Sequence, residues 1–155
     1  MFISKKYILI VAIFLFLFAL PKSLQSHCQV PCGIYDDEMR IKMISEHITT
    51  IEKGMKQVAA LSKESKLDYN QIVRWVFNKE KHAEEMSQIL TYYFMAQRIK
   101  PVDKKEIQKY THYQKKLELL HHMLVYTMKA KQSTDISIIG KLRTLLEEFK
   151  KVYIL

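Results

Sequence analysis

Asp36-Asp37-Glu38-Met39-Arg40-Ile41-Lys42-Met43-Ile44-Ser45-Glu46-His47-Ile48-Thr49-Thr50-Ile51-Glu52-Lys53-Gly54-Met55 is the stretch on which the fold turns. Ile41, Ile44, Ile48, Ile51 and Met55, continued by Val58, recur three and four residues apart, which stacks them on one face of an α-helix. The acids at 36–38 suit the positive N-terminal end of such a helix. The spacing predicts a helix over about Asp37–Leu61 with a single apolar stripe, and a stripe of that kind needs other helices to cover it.

The chain downstream supplies three. A second helix begins near Asp68 and carries Ile72, Trp75, Val76, Ala83, Met86, Ile89, Leu90, Tyr93 and Phe94 before Lys100-Pro101 closes the connection. A third is expected from about Asp103 to Lys131, with Ile107, Tyr110, Leu117, Leu120 and Leu124 inward. Ser133-Thr134-Asp135 caps a fourth that holds Ile138, Ile139, Leu142, Leu145, Leu146, Phe149 and Val152. Helices of this length on short connections make antiparallel neighbours, so the fold class is all-α, an up-down-up-down four-helix bundle over residues 36–155. Three glycines, three prolines and 48% hydrophobic residues exclude a disordered or low-complexity chain.

Residues 1–26 read as an export leader. Lys5 and Lys6 form a basic start, Ile8 to Leu20 is apolar, Pro21 breaks the run, and Lys22-Ser23-Leu24-Gln25-Ser26 ends on a small residue at the expected cut. The apolar run is short of the roughly 20 residues that span a bilayer, so cleavage is favoured over an uncleaved anchor. The expected location is periplasmic or extracellular, with no membrane partner once the leader is gone. What remains is enough for one domain with a single core. Formal net charge is +9, and three of the 25 basic residues, Lys5, Lys6 and Lys22, go with the leader. The remaining lysines are spread along every helix, which favours solubility and the attraction of small anions over nucleic-acid binding.

Cleavage before His27 would expose His27-Cys28-Gln29-Val30-Pro31-Cys32-Gly33-Ile34-Tyr35, residues 27–35, as an N-terminal metal-binding hook. Six residues then offer a free α-amine, an imidazole, two thiolates and deprotonatable amides, with a proline and a glycine to fold them round one small ion. Soft sulfur with nitrogen donors favours a square-planar divalent ion such as nickel or copper over magnesium or calcium. Both cysteines of the chain lie here. An oxidising compartment would also permit a Cys28–Cys32 disulfide, although so short a loop at a chain end constrains little of the unfolded state. Two alternatives follow: a secreted helical interaction protein with that disulfide, and a nickel- or copper-binding protein without turnover.

The pattern His-Cys-x-x-Pro-Cys-Gly-x-Tyr at a processed N-terminus resembles nickel superoxide dismutase. The resemblance implies a superoxide dismutase that converts superoxide to oxygen and hydrogen peroxide by Ni(II)/Ni(III) cycling, one nickel ion per subunit, in a homohexamer whose neighbouring subunits order each hook. It implies equatorial donors from the His27 α-amine, the Cys28 amide nitrogen and the Cys28 and Cys32 thiolates, with the His27 imidazole axial in the oxidised state. It makes Pro31 the turn former and Tyr35 the guard of the open axial side, so the catalytic set is His27, Cys28, Cys32 and Tyr35. The sequence departs from the family's pattern where a glutamate often follows Arg-Ile to support the imidazole. Arg40-Ile41 is followed here by Lys42, with Glu46 one turn further on. By the same resemblance His82 falls where the family has an arginine near the site, and Tyr93-Phe94 matches a tyrosine-phenylalanine pair near its opening. Glu118-x-x-His121 has the spacing of a di-iron bundle but lacks a second such motif, so His121-His122 reads as a surface pair.

Overall fold

The computed structural model describes residues 35–154; the leader and the hook residues His27, Cys28 and Cys32 lie outside the described residues. Four helices follow one another: α1 (Asp37–Leu61), α2 (Tyr69–Gln88, continued by a π-helical segment, Ile89–Arg98), α3 (Ile107–Gln132) and α4 (Ser137–Ile154). Among the described residues there is no strand, and no helix is long and apolar enough to cross a membrane. Aspartates set the starts. Asp36 accepts from the Met39 amide at 2.8 Å and Asp68 from the Gln71 amide at 3.1 Å, each satisfying a donor that the first helical turn leaves unpaired. Asp135 does the same before α4, accepting from the Ser137 amide at 2.9 Å.

The fold class is the expected all-α four-helix bundle. Ile41, Ile44, Ile48, Ile51 and Met55 of α1 are all buried, as their spacing demands. They meet Ala83, Met86, Ile89, Leu90, Tyr93 and Phe94 of the second helix, Leu119, Leu120 and Met123 of α3, and Ile138, Ile139, Leu142, Leu146 and Phe149 of α4.

Three details differ from the expectation. The third helix starts at Ile107, later than Asp103, because the Asp103 side chain accepts from the Lys105 amide at 2.9 Å and its carbonyl from the Glu106 amide at 3.0 Å. That local turn takes the place of a first helical turn. Ile107, left at the helix tip, is 75% exposed, and the inward stripe runs instead through Leu119, Leu120, Met123, Thr127 and Ala130. Of the α2 residues expected to face inward, Val76 is exposed, while a lysine, Lys79, joins Ala83 and Met86 among the buried ones. The second helix also widens at its end: the Ile99 amide bonds the Phe94 carbonyl at 2.9 Å, five residues back, and the whole of Ile89–Arg98 is π-helical. Such segments are rare and recur at functional sites.

Lys79 explains its own burial. Its ammonium donates to the Ala130 carbonyl at 2.8 Å, to the Lys131 carbonyl, and to Glu80 Oε1 at 3.3 Å. These carbonyls close the C-terminal end of α3, which lacks helical donors and carries the negative pole of the helix dipole. The stem packs against α1 at Gly54, where an added Cβ would meet Lys79 Cβ at 3.0 Å. The glycine thus allows α1 and α2 to approach closely at this point.

Replacing Lys79 by Met keeps the stem and removes the charge. We expect this to cost about 1–2 kcal/mol, the usual effect of stranding buried acceptors, read as a lower urea midpoint at unchanged slope. Lys79→Ala, which also opens a cavity, should lose about 3 kcal/mol.

Candidate functional site

Tyr35, the last residue of the hook motif, is the first residue described, and the chain places it directly against the start of the bundle. Its ring is 49% exposed. The Arg98 guanidinium lies 4.4 Å over its centroid, and the Tyr93 ring is tilted against it at 6.2 Å. Arg98 and Tyr93 are both held by one carboxylate in the first turn of α1. Asp37 Oδ1 accepts from Tyr93 Oη at 2.6 Å and from Arg98 Nε at 2.7 Å, while Oδ2 accepts from Arg98 Nη2 at 2.6 Å and Tyr153 Oη at 2.9 Å.

Local structure makes this convergence possible. Tyr93 and Arg98 sit five residues apart on the π-helical segment, whose i to i+5 bonding widens the turn. Tyr153 comes from the last turns of α4. Behind them Phe94, Phe149 and Tyr153 pack with centroids 5.1–5.2 Å apart, so the polar cluster rests on a rigid aromatic floor. Arg40 stacks over Tyr93 at 5.1 Å, and its Nε is buried without a hydrogen-bond partner among the described residues.

The electrostatics follow from the geometry. Burial alone would raise the Asp37 carboxyl, but the hydrogen bonds from Arg98, Tyr93 and Tyr153 outweigh it and hold the group below its ordinary value. Burial, then the bond to Asp37, pushes the Tyr93 phenol up to about 12. The same two causes raise Tyr153. The hydrogen bond to Asp37 raises Arg98 further still. At neutral pH the cluster is a fixed carboxylate, a fixed guanidinium and neutral phenols. Asp37 has both oxygens engaged and acts as an anchor, so the groups left to meet a ligand are the Tyr35 hydroxyl and the open side of Arg98.

Of the residues singled out in the sequence, His27, Cys28 and Cys32 lie outside the described residues, and Tyr35 and Tyr93 fall in this cluster. Lys42 and Glu46 are exposed. His82 is half-buried on α2 and turns to His47 of α1, Nδ1 to Nδ1 at 2.9 Å, with Glu85 beside both. Glu118, His121 and His122 are exposed, as expected of a surface pair. Sequence reading missed Asp37, Arg98 and Tyr153 as partners. Asp37 looked like one of three dipole-matching acids, and its partners lie 56 to 116 residues away. In the sequence Tyr35 follows Cys32 by three residues.

The family described as nickel-containing superoxide dismutase matches residues 22–155 of the chain. No curated protein and no solved structure matches it.

Asp37→Asn removes the anion that gathers Tyr93, Arg98 and Tyr153. Because the native carboxyl is depressed, its stabilisation is fully present above the ordinary carboxylate range and is lost as pH falls through the lower native value. The wild type should therefore exceed the variant by about 2 kcal/mol at pH 7, with the gap closing toward pH 2, as followed by urea denaturation across pH. Tyr93 has the opposite sign: its contribution holds below the ordinary phenol value near 10 and is lost as pH rises through about 12. A phenolate absorbance titration should show tyrosine ionisation extending to that pH, and Tyr93→Phe should reduce this late part.

Proposed function

The chain belongs to the nickel-containing superoxide dismutase family, and from that membership we propose that superoxide is disproportionated at the N-terminus freed when residues 1–26 are removed. It is an oxidoreductase, a superoxide dismutase, with nickel as its cofactor. The observation that carries the reading is the extent of the match, which takes in the whole run His27–Tyr35 together with the helices.

The donor set fits the ion. The His27 α-amine and imidazole, the Cys28 amide nitrogen and the Cys28 and Cys32 thiolates would hold nickel, since this mixture of thiolate and nitrogen suits a square-planar divalent ion. Nickel held there would supply one-electron chemistry between Ni(II) and Ni(III), the kind of chemistry that superoxide disproportionation to oxygen and hydrogen peroxide needs. Thiolate and amide donors would stabilise the oxidised ion and so bring its potential toward the range that this chemistry requires. Pro31 and Gly33 let the short arm close on itself.

The bundle's part is positioning and charge. Asp37 fixes Tyr93 and Arg98, and these two fix the Tyr35 ring, whose hydroxyl is the donor that would hold water or substrate on the open side of the centre. The positive face of Arg98 continues into a cleft of about 420 Å³ lined by Lys100, Lys109 and Lys116, a field that draws an anion toward this end of the molecule. The unpartnered Arg40 Nε leaves a further donor beside Tyr93. We assign the protein to the periplasm or the exterior, as a homohexamer, in keeping with the leader and with the family resemblance.

An added residue before His27 should abolish nickel-dependent turnover while leaving helicity intact. Cys28→Ser and Cys32→Ser should each remove the thiolate-to-nickel absorption and reduce superoxide removal by more than about 100-fold, since even outer partners of a metal are worth about 10 to 100-fold. Intact mass and nickel content of the untagged protein separate the alternatives. A chain starting at His27 with one nickel per subunit supports the dismutase. A metal-free chain two protons lighter identifies the disulfide-bonded interaction protein, and nickel without turnover identifies the scavenger. Tyr35→Phe should keep nickel and lose activity.

A further inference from the structure

A second group of metal-ligating side chains lies on the bundle itself. His47 stands on α1, and His82 and Glu85 stand one helical turn apart on the facing side of α2, the spacing that puts two side chains on one face. His47 is ten residues beyond Asp37 on the same helix, about 15 Å along its axis at 1.5 Å per residue, so the group is separate from the Tyr35 cluster. The three converge on one point. His47 Nδ1 and His82 Nδ1 are 2.9 Å apart, and Glu85 Oε2 lies 3.7 Å from the first and 3.5 Å from the second.

We propose that His47, His82 and Glu85 form a second metal site, for a divalent ion of the zinc type, clamping α1 to α2. The size of the triangle is the first argument. Imidazole nitrogen and carboxylate oxygen bind zinc at about 2.0–2.2 Å, so donors around one ion are separated by about 2.9 Å at a right angle and about 3.3–3.6 Å at tetrahedral or wider angles. Two of the separations, 2.9 and 3.5 Å, fall at these values and the third, 3.7 Å, lies just beyond them, and the ligands come from two helices.

Chemistry is the second argument. Two Nδ1 atoms at 2.9 Å can share a hydrogen bond only if one ring carries the proton there and the other does not. If both rings carried a proton there, two N–H donors would face one another. A cation among the three donors would replace that single shared proton, taking the lone pair of each ring and the carboxylate charge at once. His47 is buried at 9% exposure, and burial, then the charge of His82, favours its neutral form over the effect of Glu85 and Glu46. The neutral imidazole is the form a metal requires. Glu85 is turned so that Oε1 faces the Lys81 ammonium at 3.8 Å, leaving Oε2 for the two rings. Two imidazoles and one carboxylate with a fourth position open to water is a zinc donor set, and it is too nitrogen-rich for magnesium or calcium.

The test uses the processed protein with nickel already in the hook, so that added zinc reports on the bundle. Calorimetric titration with Zn²⁺ should show one further equivalent per subunit and a rise in melting temperature, and Co²⁺ in its place should give visible d–d absorption. Glu85→Gln and His82→Gln should each weaken this equivalent at least tenfold, and Glu85→Gln should leave the nickel content unchanged. The side chain of Glu85 is 39% exposed, so that variant should fold even if the histidine variant does not. A Cys28→Ser/Cys32→Ser protein, which lacks the hook thiolates, should still take up one zinc. Absence of a second equivalent, or one that Glu85→Gln leaves at full affinity, overturns the proposal.

Discussion

One carboxylate gathers the ends of three helical elements. Asp37 begins α1, Arg98 and Tyr93 lie on the π-helical end of the second helix, and Tyr153 lies near the end of α4. Hydrogen bonds to an ionised group are about twice as strong as neutral ones, and the bidentate pairing with Arg98 adds direction to strength. Most of the bundle needs only apolar burial, which fixes distance but not rotation. The Asp37 cluster fixes rotation at this end, and the Arg98 that it holds lies 4.4 Å over the Tyr35 ring.

Much of this was legible in the sequence wherever the signal was local. The 3–4 spacing of Ile41 to Met55 gave α1 its buried face, and Asp36, Asp68 and Asp135 marked three helix starts through bonds to amides two or three residues on. Non-local effects were hidden. Lys79 reads as a surface residue until α3 is seen to end on it, with its unsatisfied carbonyls at Ala130 and Lys131. Val76 and Ile107 look like core residues by type, yet their positions face away from any neighbouring helix. The π-helical segment leaves no mark in a pattern reading that assumes 3.6 residues per turn, and it is that change of pitch that brings Tyr93 and Arg98 to one acceptor.

For the site, the sequence was informative about donors and poor on their supports. The run His27–Tyr35 could be read because metal chemistry demands particular residue types close together. The partners that hold Tyr35 are ordinary residue types scattered over the chain, and they become a group only through the topology. The pair His47 and His82 belongs to the same class: thirty-five residues apart, they meet because α1 and α2 are antiparallel and approach closely at Gly54 and Lys79.

The position after Arg40-Ile41 bears on how the axial imidazole is supported in the proposed mechanism. Where the family resemblance leads one to expect a glutamate, this chain has Lys42, which is exposed. Asp37 is an acid at the same end of α1, but it is a poor substitute, since both its oxygens already accept from Arg98 and the two tyrosines and its ionised form is held by those bonds. To accept from another ring it would have to release one of them and unseat Tyr35. Glu46 is exposed on the next turn of the helix and carries no such obligation. Where no carboxylate takes the glutamate's place, the His27 imidazole would be a weaker donor to nickel than one paired with a glutamate, because an outer carboxylate raises the basicity of the ring it holds. A weaker donor would stabilise the oxidised ion less, so nickel bound here in the proposed way would have a higher reduction potential than in a relative that keeps the glutamate.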